Sequence, residues 1–153
     1  MESGYVTGMH HAGITVNNLE ESVDFYRKMF NFEQLAFQES DQDYILELLN
    51  VPGLQKVRIA LMKIPGSETV LELLEYVGVE RHSASARPCD YGSGHLCFQV
   101  SDLSEMHRQL LQKGARFRSP APVEITAGRN KGAKVIYMAD PDGYLIELWE
   151  EPK

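Results

Sequence analysis

Histidine and glutamate recur in this chain at matching places. Residues 10–19, HHAGITVNNL, and residues 94–103, GHLCFQVSDL, both continue from histidine into an alternating strand and a polar turn that ends in leucine. A shift of 84 residues places His11 on His95, and a shift of 75 residues places Glu72 on Glu147. A carboxylate in the middle of a leucine-rich strand is costly to bury unless it is paired or bound to a metal. The two repeated pairs are therefore candidates for metal chemistry.

Imidazole and carboxylate groups together suit Zn, Ni, Co, Mn or Fe, and they do not select sharply among these metals. We expect one divalent metal ion per chain, held by four ligands that leave one or two positions open for water or substrate: His11, Glu72, His95 and Glu147. His10 and His11 are adjacent in a strand, so their side chains point to opposite faces. The match of HAGITV to HLCFQV selects His11, and His10 is expected at the surface.

The elements that must position these residues also occur twice. Apolar residues at helical spacing predict helices over LEESVDFYRKMF and LSEMHRQLLQKG, and Gly114 is well placed to end the second. Turn sequences at 65–67 and 140–143 separate the last two strands of each half. Besides the two histidine strands, we predict strands at about 33–39, 56–64, 69–76, 115–118, 133–139 and 143–150. The sequence therefore predicts an α+β fold of two tandem βαβββ modules that form a curved, partly closed mixed sheet around a metal-binding cavity.

The length favours a single domain over residues 1–153. Module one runs from about 9 to 77, the linker from about 78 to 92, and module two from about 93 to 151. The change of shift means that the first half carries about nine extra residues around FQESDQDYILELLNVPGLQ, which we expect to form a lid or a short helix. Glu75 lies three residues after Glu72, so we expect it on the opposite face of the sheet, toward solvent or a dimer partner.

The composition of the chain argues against some classes of binding partner. The net charge is −7 and the pI is about 5.2, which argues against nucleic acid and anionic membranes as partners. The two cysteines show no disulfide pattern, and Cys97 is expected to be a buried, inert thiol. No apolar stretch approaches the roughly 20 residues that span a bilayer, and the first residues show no signal peptide. We expect a cytoplasmic protein.

The chain resembles the vicinal oxygen chelate superfamily, which includes lactoylglutathione lyase (glyoxalase I), methylmalonyl-CoA epimerase, extradiol dioxygenases and bleomycin-resistance proteins. HAGITVNNLEESVDFY, LELLEY, GHLCFQVSDL and MADPDGYLIELWE carry the resemblance, which covers essentially the whole chain. It implies paired βαβββ modules, and it places His11, Glu72, His95 and Glu147 at the family's four metal positions. The full ligand set is similar to that of the isomerising branches, whereas the dioxygenases lack a carboxylate at the position of Glu72.

The resemblance implies a metal-dependent isomerase or epimerase of a small oxygenated substrate, such as an α-hydroxy carbonyl compound, a keto-cyclitol or an acyl thioester. Removal of a proton next to the carbonyl would give a metal-stabilised enediolate. Glu147 and Glu72 are the expected catalytic residues, since either could leave the metal and act as the acid–base group.

Two other functions stay open at this stage: a lactoylglutathione lyase of the glyoxalase I type, and a metal-free small-molecule binder similar to the bleomycin-resistance proteins. Arg129 and Lys131, in the glycine-rich segment ITAGRNKGAK, are candidates for binding a substrate carboxylate or phosphate. Tyr137 and Phe98 are candidates for shaping the substrate pocket. The resemblance also makes a homodimer the expected assembly.

Overall fold

The computed structural model describes residues 4–84 and 87–153. Residues 1–3, and residues 85–86 of the expected linker, lie outside the described residues. The chain divides into two compact units, Met1–His82 and Ser83–Lys153, and each has its own mixed sheet. These units follow the two predicted modules and confirm the α+β class. The closure of the modules around a common cavity, and their grouping as one domain, stay predictions.

The first unit follows the predicted βαβββ order with one added helix. Its sheet has the strand order β1-β4-β3-β2, in which β1 is parallel to β4 and the other pairs are antiparallel. Its elements are β1 (His11–Thr15), α1 (Leu19–Phe30), β2 (Glu33–Ser40), α2 (Asp43–Leu49), β3 (Lys56–Lys63) and β4 (Val70–Val77).

The second unit repeats the same topology. Its sheet has the order β5-β9-β8-β6, with β5 parallel to β9, and a two-residue strand, β7, which the sequence did not predict, pairs with β8. Its elements are β5 (His95–Gln99), α3 (Leu103–Gln112), β6 (Arg116–Phe117), β7 (Val123–Glu124), β8 (Lys134–Ala139) and β9 (Leu145–Glu150). No helix within the described ranges is long and apolar enough to cross a bilayer.

Both long helices begin at matching caps. The side chain of Asn18 accepts the backbone N–H of Glu21 at 2.9 Å, and the side chain of Asp102 accepts that of Glu105 at 2.9 Å. Such caps satisfy backbone donors that the first turn of a helix leaves without an internal partner. They fix where the chain turns from β1 or β5 into its helix.

A second repeated glutamate ties each helix to its sheet. Glu75 lies on the face opposite Glu72, as expected, but there it meets the start of α1 and is not directed to solvent. Glu75 accepts the backbone N–H of Leu19 at 3.0 Å, and its side chain is only 15% exposed. Glu150 accepts the N–H of Leu103 at 2.6 Å and is buried. Both glutamates point toward the helix on their face of the sheet, so each joins the last strand of its unit to the start of that helix.

Strand alternation separates the core from the face that carries the repeated histidines. Leu71 and Leu73 in β4, and Ile146 and Leu148 in β9, are fully buried, while Glu72 and Glu147 between them lie on the opposite face. Helix α1 packs on β3 and β4, and α3 packs on β9. The leucine-rich strands therefore hold each glutamate on a rigid, well-packed sheet.

The extra segment of the first half contains a short helix, α2. A short helix was one of the two structures that the sequence predicted for this segment. Its Ile45 is buried against Val57 and Ile59 of β3, and Leu61 and Leu74 pack at the edge of this cluster. Val57, Ile59 and Leu61 alternate along β3 on the same face as Glu72, since Leu61 is the register partner of Glu72. Helix α2 thus covers part of the face on which Glu72 lies.

Candidate metal centre

In the first unit, His11 and Glu72 meet across two parallel strands. His11 is the first residue of β1, and Glu72 pairs in register with Gly13, two residues further along β1. His11 Nε2 lies 3.2 Å from Glu72 Oε2, and the two side chains are 40% and 19% exposed. The imidazole and the carboxylate therefore present a nitrogen and an oxygen donor at one place on the sheet.

The second unit repeats this arrangement. His95 begins β5, and Glu147 pairs with Cys97, again two residues beyond the histidine. His95 Nε2 lies 3.0 Å from Glu147 Oε2, with side-chain exposures of 43% and 14%. The histidines match at a shift of 84 residues and the glutamates at a shift of 75, and in both units the glutamate pairs with the residue two positions after the histidine.

The imidazole nitrogens and carboxylate oxygens of the two pairs are of the chemical types that bind divalent metals. Imidazole Nε2 and carboxylate oxygen are ordinary ligands of Zn²⁺ and its neighbours, and the strands bring one of each together in each unit. Within either unit, the described residues do not group three or more histidine, cysteine, aspartate or glutamate side chains at one point. Structural and catalytic zinc sites use three or four protein ligands, so neither pair alone makes up a full site.

His10 lies closer to the candidate site than the sequence suggested. It is exposed, as expected, but its Nδ1 lies 2.8 Å from Nδ1 of His11, and the two rings meet edge to face. One of the two nitrogens must donate and the other must accept. A proton on His11 Nδ1 that is donated to His10 leaves His11 Nε2 with a free lone pair. His10 can therefore set the tautomer that metal binding requires.

Glu147 has two polar neighbours that Glu72 lacks. Tyr137 is its register partner on β8, and Cys97 is its register partner on β5. Desolvation and then the charge of Glu147 raise the pKa of Cys97 to about 11, and the same two causes raise the pKa of Tyr137 above its ordinary value. Cys97 is exposed, not buried as expected, because it lies on the same face as His95.

The predicted substrate-binding residues lie in different places. The hydroxyl of Tyr137 is 3.5 Å from His95 Nε2, so the structure brings it to the second pair. Phe98 lies on the opposite face of β5 from His95 and Cys97, and the structure does not bring it to the pair. Arg129 and Lys131 are exposed in the loop between β7 and β8, and neither forms an ion pair within the described part of the chain.

A family model for the glyoxalase/bleomycin resistance protein/dioxygenase superfamily matches residues 8–148. The chain belongs to this superfamily. Enzymes of the superfamily generally hold a divalent metal, in agreement with the donor types at the two pairs. The superfamily match spans both units and all four candidate ligands.

Individual relatives within the superfamily include isomerising and lyase enzymes. The chain is 32% identical to a 2-epi-5-epi-valiolone epimerase from an Actinomyces species over 148 residues, which are 94% of this chain and 79% of that protein. It is 27% identical to the lactoylglutathione lyase of Schizosaccharomyces pombe over 92% of this chain, but it spans only 46% of that lyase. A glyoxalase family protein from Bacillus cereus has the same fold, with a TM-score of 0.82 and 21% identity over 100% of this chain and 99% of that one.

Proposed function

We propose that the chain is a divalent-metal-dependent isomerase or epimerase whose metal is held jointly by His11, Glu72, His95 and Glu147. The observation that carries the proposal is the repetition of one His–Glu pair at the same sheet register in both units. Each pair alone supplies two ligands, and together they supply the four that such a site uses. A duplicated fold that contributes two ligands from each copy accounts for both repeats.

When bound, a divalent metal supplies a Lewis acid that holds two neighbouring substrate oxygens and lowers the cost of negative charge on them. The protein's part is proton transfer and orientation. Glu72 and Glu147 are the candidate acid–base groups, and in a site that both pairs share, either one would take a proton from the carbon next to the carbonyl and return it. The leucine-rich strands behind them fix where that exchange occurs.

The substrate class that we favour is a small α-hydroxy carbonyl compound, and within it a keto-cyclitol. This choice is supported by the similarity to the 2-epi-5-epi-valiolone epimerase, at 32% identity over 94% of the chain. An acyl thioester is the next substrate class in the same reaction type. Roles in substrate binding for Arg129, Lys131, Tyr137 and Phe98 stay predictions, as do a homodimer and the identity of the metal among Zn, Ni, Co, Mn and Fe.

A lactoylglutathione lyase is the second candidate, because relatives of that name match over 92% of the chain. It needs the same metal and the same carboxylate chemistry, so the site geometry does not separate the two. A metal-free binder is the third candidate. It is less well supported, because it gives the two histidine–carboxylate pairs no role in the function of the protein.

The test of the reaction is solvent exchange at carbon. The metal-loaded protein is incubated in D₂O with 2-epi-5-epi-valiolone, with methylmalonyl-CoA and with a glutathione hemithioacetal, and deuterium incorporation and products are followed by NMR. The proposal predicts exchange next to the carbonyl of the keto-cyclitol and its loss in a Glu72→Gln/Glu147→Gln double variant. Conversion of the hemithioacetal alone would establish the lyase, and the absence of exchange with all three would refute an isomerase of these classes.

A further inference from the structure

The first of the two candidate half-sites is partly covered by a helix of its own unit. Ile45 of α2 is buried against Ile59 of β3, on the face of the sheet that carries Glu72. Leu61 and Leu74, which lie beside Glu72 on that face, pack at the edge of the same apolar cluster. In the described part of the second unit, α3 is the one helix, and it packs on the face away from its half-site. The two half-sites therefore differ in their cover.

Helix α2 is attached to the sheet more weakly than α1 or α3. It begins at Gln42, whose side chain makes no cap, and within the described residues no hydrogen bond or ion pair joins α2 to another helix or strand. Ile45 is its one buried residue, whereas Tyr44 and Leu48, which point away from the sheet, are 67% and 76% exposed. Apolar contacts on one side alone therefore hold α2 in place.

The segment that carries α2 is anchored at both ends and has turning points between them. Ser40 ends β2 within the sheet, Leu54 is buried, and the backbone N–H of Gln55 donates to the end of β4 at 3.0 Å. Between these anchors, Asn50 and Gly53 have left-handed backbone conformations, with φ of 48° and 81°. Hinges of moving segments are usually a few residues at element ends or in loops that absorb such changes in backbone angle. The chain can therefore swing α2 away while both anchors stay in the sheet.

We propose that α2 is a lid of the first half-site: it leaves the sheet as one piece to let the substrate reach Glu72, and it closes over the bound substrate with its apolar inner face. This inference rests on the proposed function and adds a gating step to it. A segment with few buried apolar contacts is among the first parts of a protein to open. In the closed position, Leu46 and Leu49 exclude water from the flank of Glu72, which strengthens the electrostatic interactions of that carboxylate.

The first test measures lid opening in the metal-free protein, so it depends on neither metal nor substrate. Ile59→Cys places a thiol under α2, and Met62→Cys places one on the other face of the same strand, both in a Cys89→Ser/Cys97→Ser background. We expect a thiol reagent to label Ile59→Cys at least about 100-fold faster than Met62→Cys, because local opening costs much less free energy than global unfolding. Equal labelling rates would overturn the proposal.

Amide hydrogen exchange tests the same opening without a reporter thiol. The backbone N–H groups of Leu46 and Asn50, which bond within the α2 segment, should exchange at least about 100-fold faster than the protected amides of α1. Val23→Ala, at a buried position of α1, should speed exchange in α1 and leave these two amides unchanged, because α2 opens while α1 stays folded. Equal acceleration in both helices would show that α2 opens only with global unfolding, which contradicts a lid.

A matched pair of substitutions in α2 separates movement as one piece from fraying of its ends. Ile45→Ala should speed exchange of the Leu46 and Asn50 amides by the same factor, about 30-fold or more, because it removes the buried contact that closes the lid. Leu48→Ala, at an exposed position, should change both by less than about 3-fold. Different factors for the two amides in Ile45→Ala would show fraying and overturn the proposal.

The last test distinguishes the lid from the proposed function. Metal-loaded Ile59→Cys, in the same background, is labelled with and without 2-epi-5-epi-valiolone, and deuterium exchange of this keto-cyclitol is followed in the same variant. We expect a saturating concentration to slow labelling by about 10-fold or more, because the substrate binds better to the closed form. Deuterium exchange with unchanged labelling would establish the reaction and refute the lid. Fast labelling of the metal-free protein without deuterium exchange by the loaded protein would instead refute the proposed function and leave the opening of α2 established.

Discussion

The contact between His10 and His11 is the residue-scale feature that bears most directly on metal binding. A histidine ligand almost always donates its second ring N–H to a neighbour, which fixes the ring and its tautomer. Here the neighbour is the adjacent residue, whose Nδ1 lies 2.8 Å away. The pairing is unusual for a strand, since consecutive side chains point to opposite faces, and it occurs where β1 begins.

His10→Ala should therefore weaken Zn²⁺ binding by about 10–100-fold without unfolding the protein. His10→Gln, which retains an acceptor, should recover part of the affinity. Competition titration with a chromophoric chelator measures both variants, and His82→Ala, at an exposed linker histidine, serves as the control. An unchanged affinity in His10→Ala would show that the contact has no part in metal binding.

At the scale of elements, Glu75 and Glu150 join the last strand of each unit to its helix. Glu150 is the more buried of the two, and its Oε2 accepts the Leu103 N–H at 2.6 Å. Both helix starts thus depend on a carboxylate from a strand distant in sequence.

Glu150→Ala should lower the free energy of unfolding by about 1–3 kcal/mol, because it leaves a backbone donor without its partner. Glu150→Gln keeps an acceptor and should cost less. Chemical denaturation measures both, against Glu151→Ala at the neighbouring exposed position. Equal stability of Glu150→Ala and Glu151→Ala would contradict the role of Glu150 as a helix cap.

Arg58 organises the helix side of the first sheet. Its guanidinium pairs with Glu75 at 3.0 Å and with Glu39 at 3.3 Å, and it also contacts the Glu20 carboxylate. Arg58→Met should lower the free energy of unfolding by about 1–3 kcal/mol, because it leaves the largely buried Glu75 without its cation. Lys28→Met, which removes an exposed pair with Asp24, should change it by less than about 1 kcal/mol. Denaturant titration compares the two, and an equal loss in both would contradict this account of Arg58.

The ion pair of Arg58 with Glu20 makes the stability of the protein depend on pH, with a defined sign. The hydrogen bond from Arg58 holds the pKa of Glu20 below its ordinary value of 4.5. Because the pKa is lower in the folded state, this stabilisation is present above pH 4.5 and is lost as the pH falls through the folded-state pKa. The stability difference between the unaltered protein and Arg58→Met should therefore shrink between pH 5 and pH 2. A difference that is constant over this range would contradict the ion pair as its source.

For the whole molecule, the sequence repeat predicted the two modules, and the reason is physical. Alternation of leucine with glutamate in β4 and β9 requires one buried face and one accessible face, and the helical spacing after β1 and β5 fixes what covers the buried face. The same logic located His11, Glu72, His95 and Glu147 correctly on the strands.

Features that depend on register between strands could not be read from the sequence. The capping role of Glu75 requires knowing that β4 lies beside β1 and under the start of α1. The exposure of Cys97 requires knowing which face of β5 is covered, and its contact with Glu147 requires the parallel register of β5 and β9. Phe98 is a different case, because it lies three residues after His95 on the same strand, and alternation within that strand already places it on the opposite face.

A metal shared by both units should also stabilise the whole chain. Zn²⁺ at about 100 times its dissociation constant adds about 2.7 kcal/mol, which corresponds to a rise in Tm of about 5–10 °C for a protein of this size. His11→Ala and His95→Ala, one in each unit, should each abolish most of this rise in a thermal melt. A rise that survives either substitution would show that one unit binds the metal alone.

The most direct measurement of the central claim is the metal content of the purified protein and of His11→Ala and His95→Ala by elemental analysis, after incubation with Zn, Ni, Co or Mn and removal of the excess. The shared site predicts about one divalent ion per chain in the unaltered protein and close to none in either single variant, because each variant removes one of four ligands. Two ions per chain, one ion retained in a single variant, or no uptake of any of the four metals would contradict a site built from both His–Glu pairs.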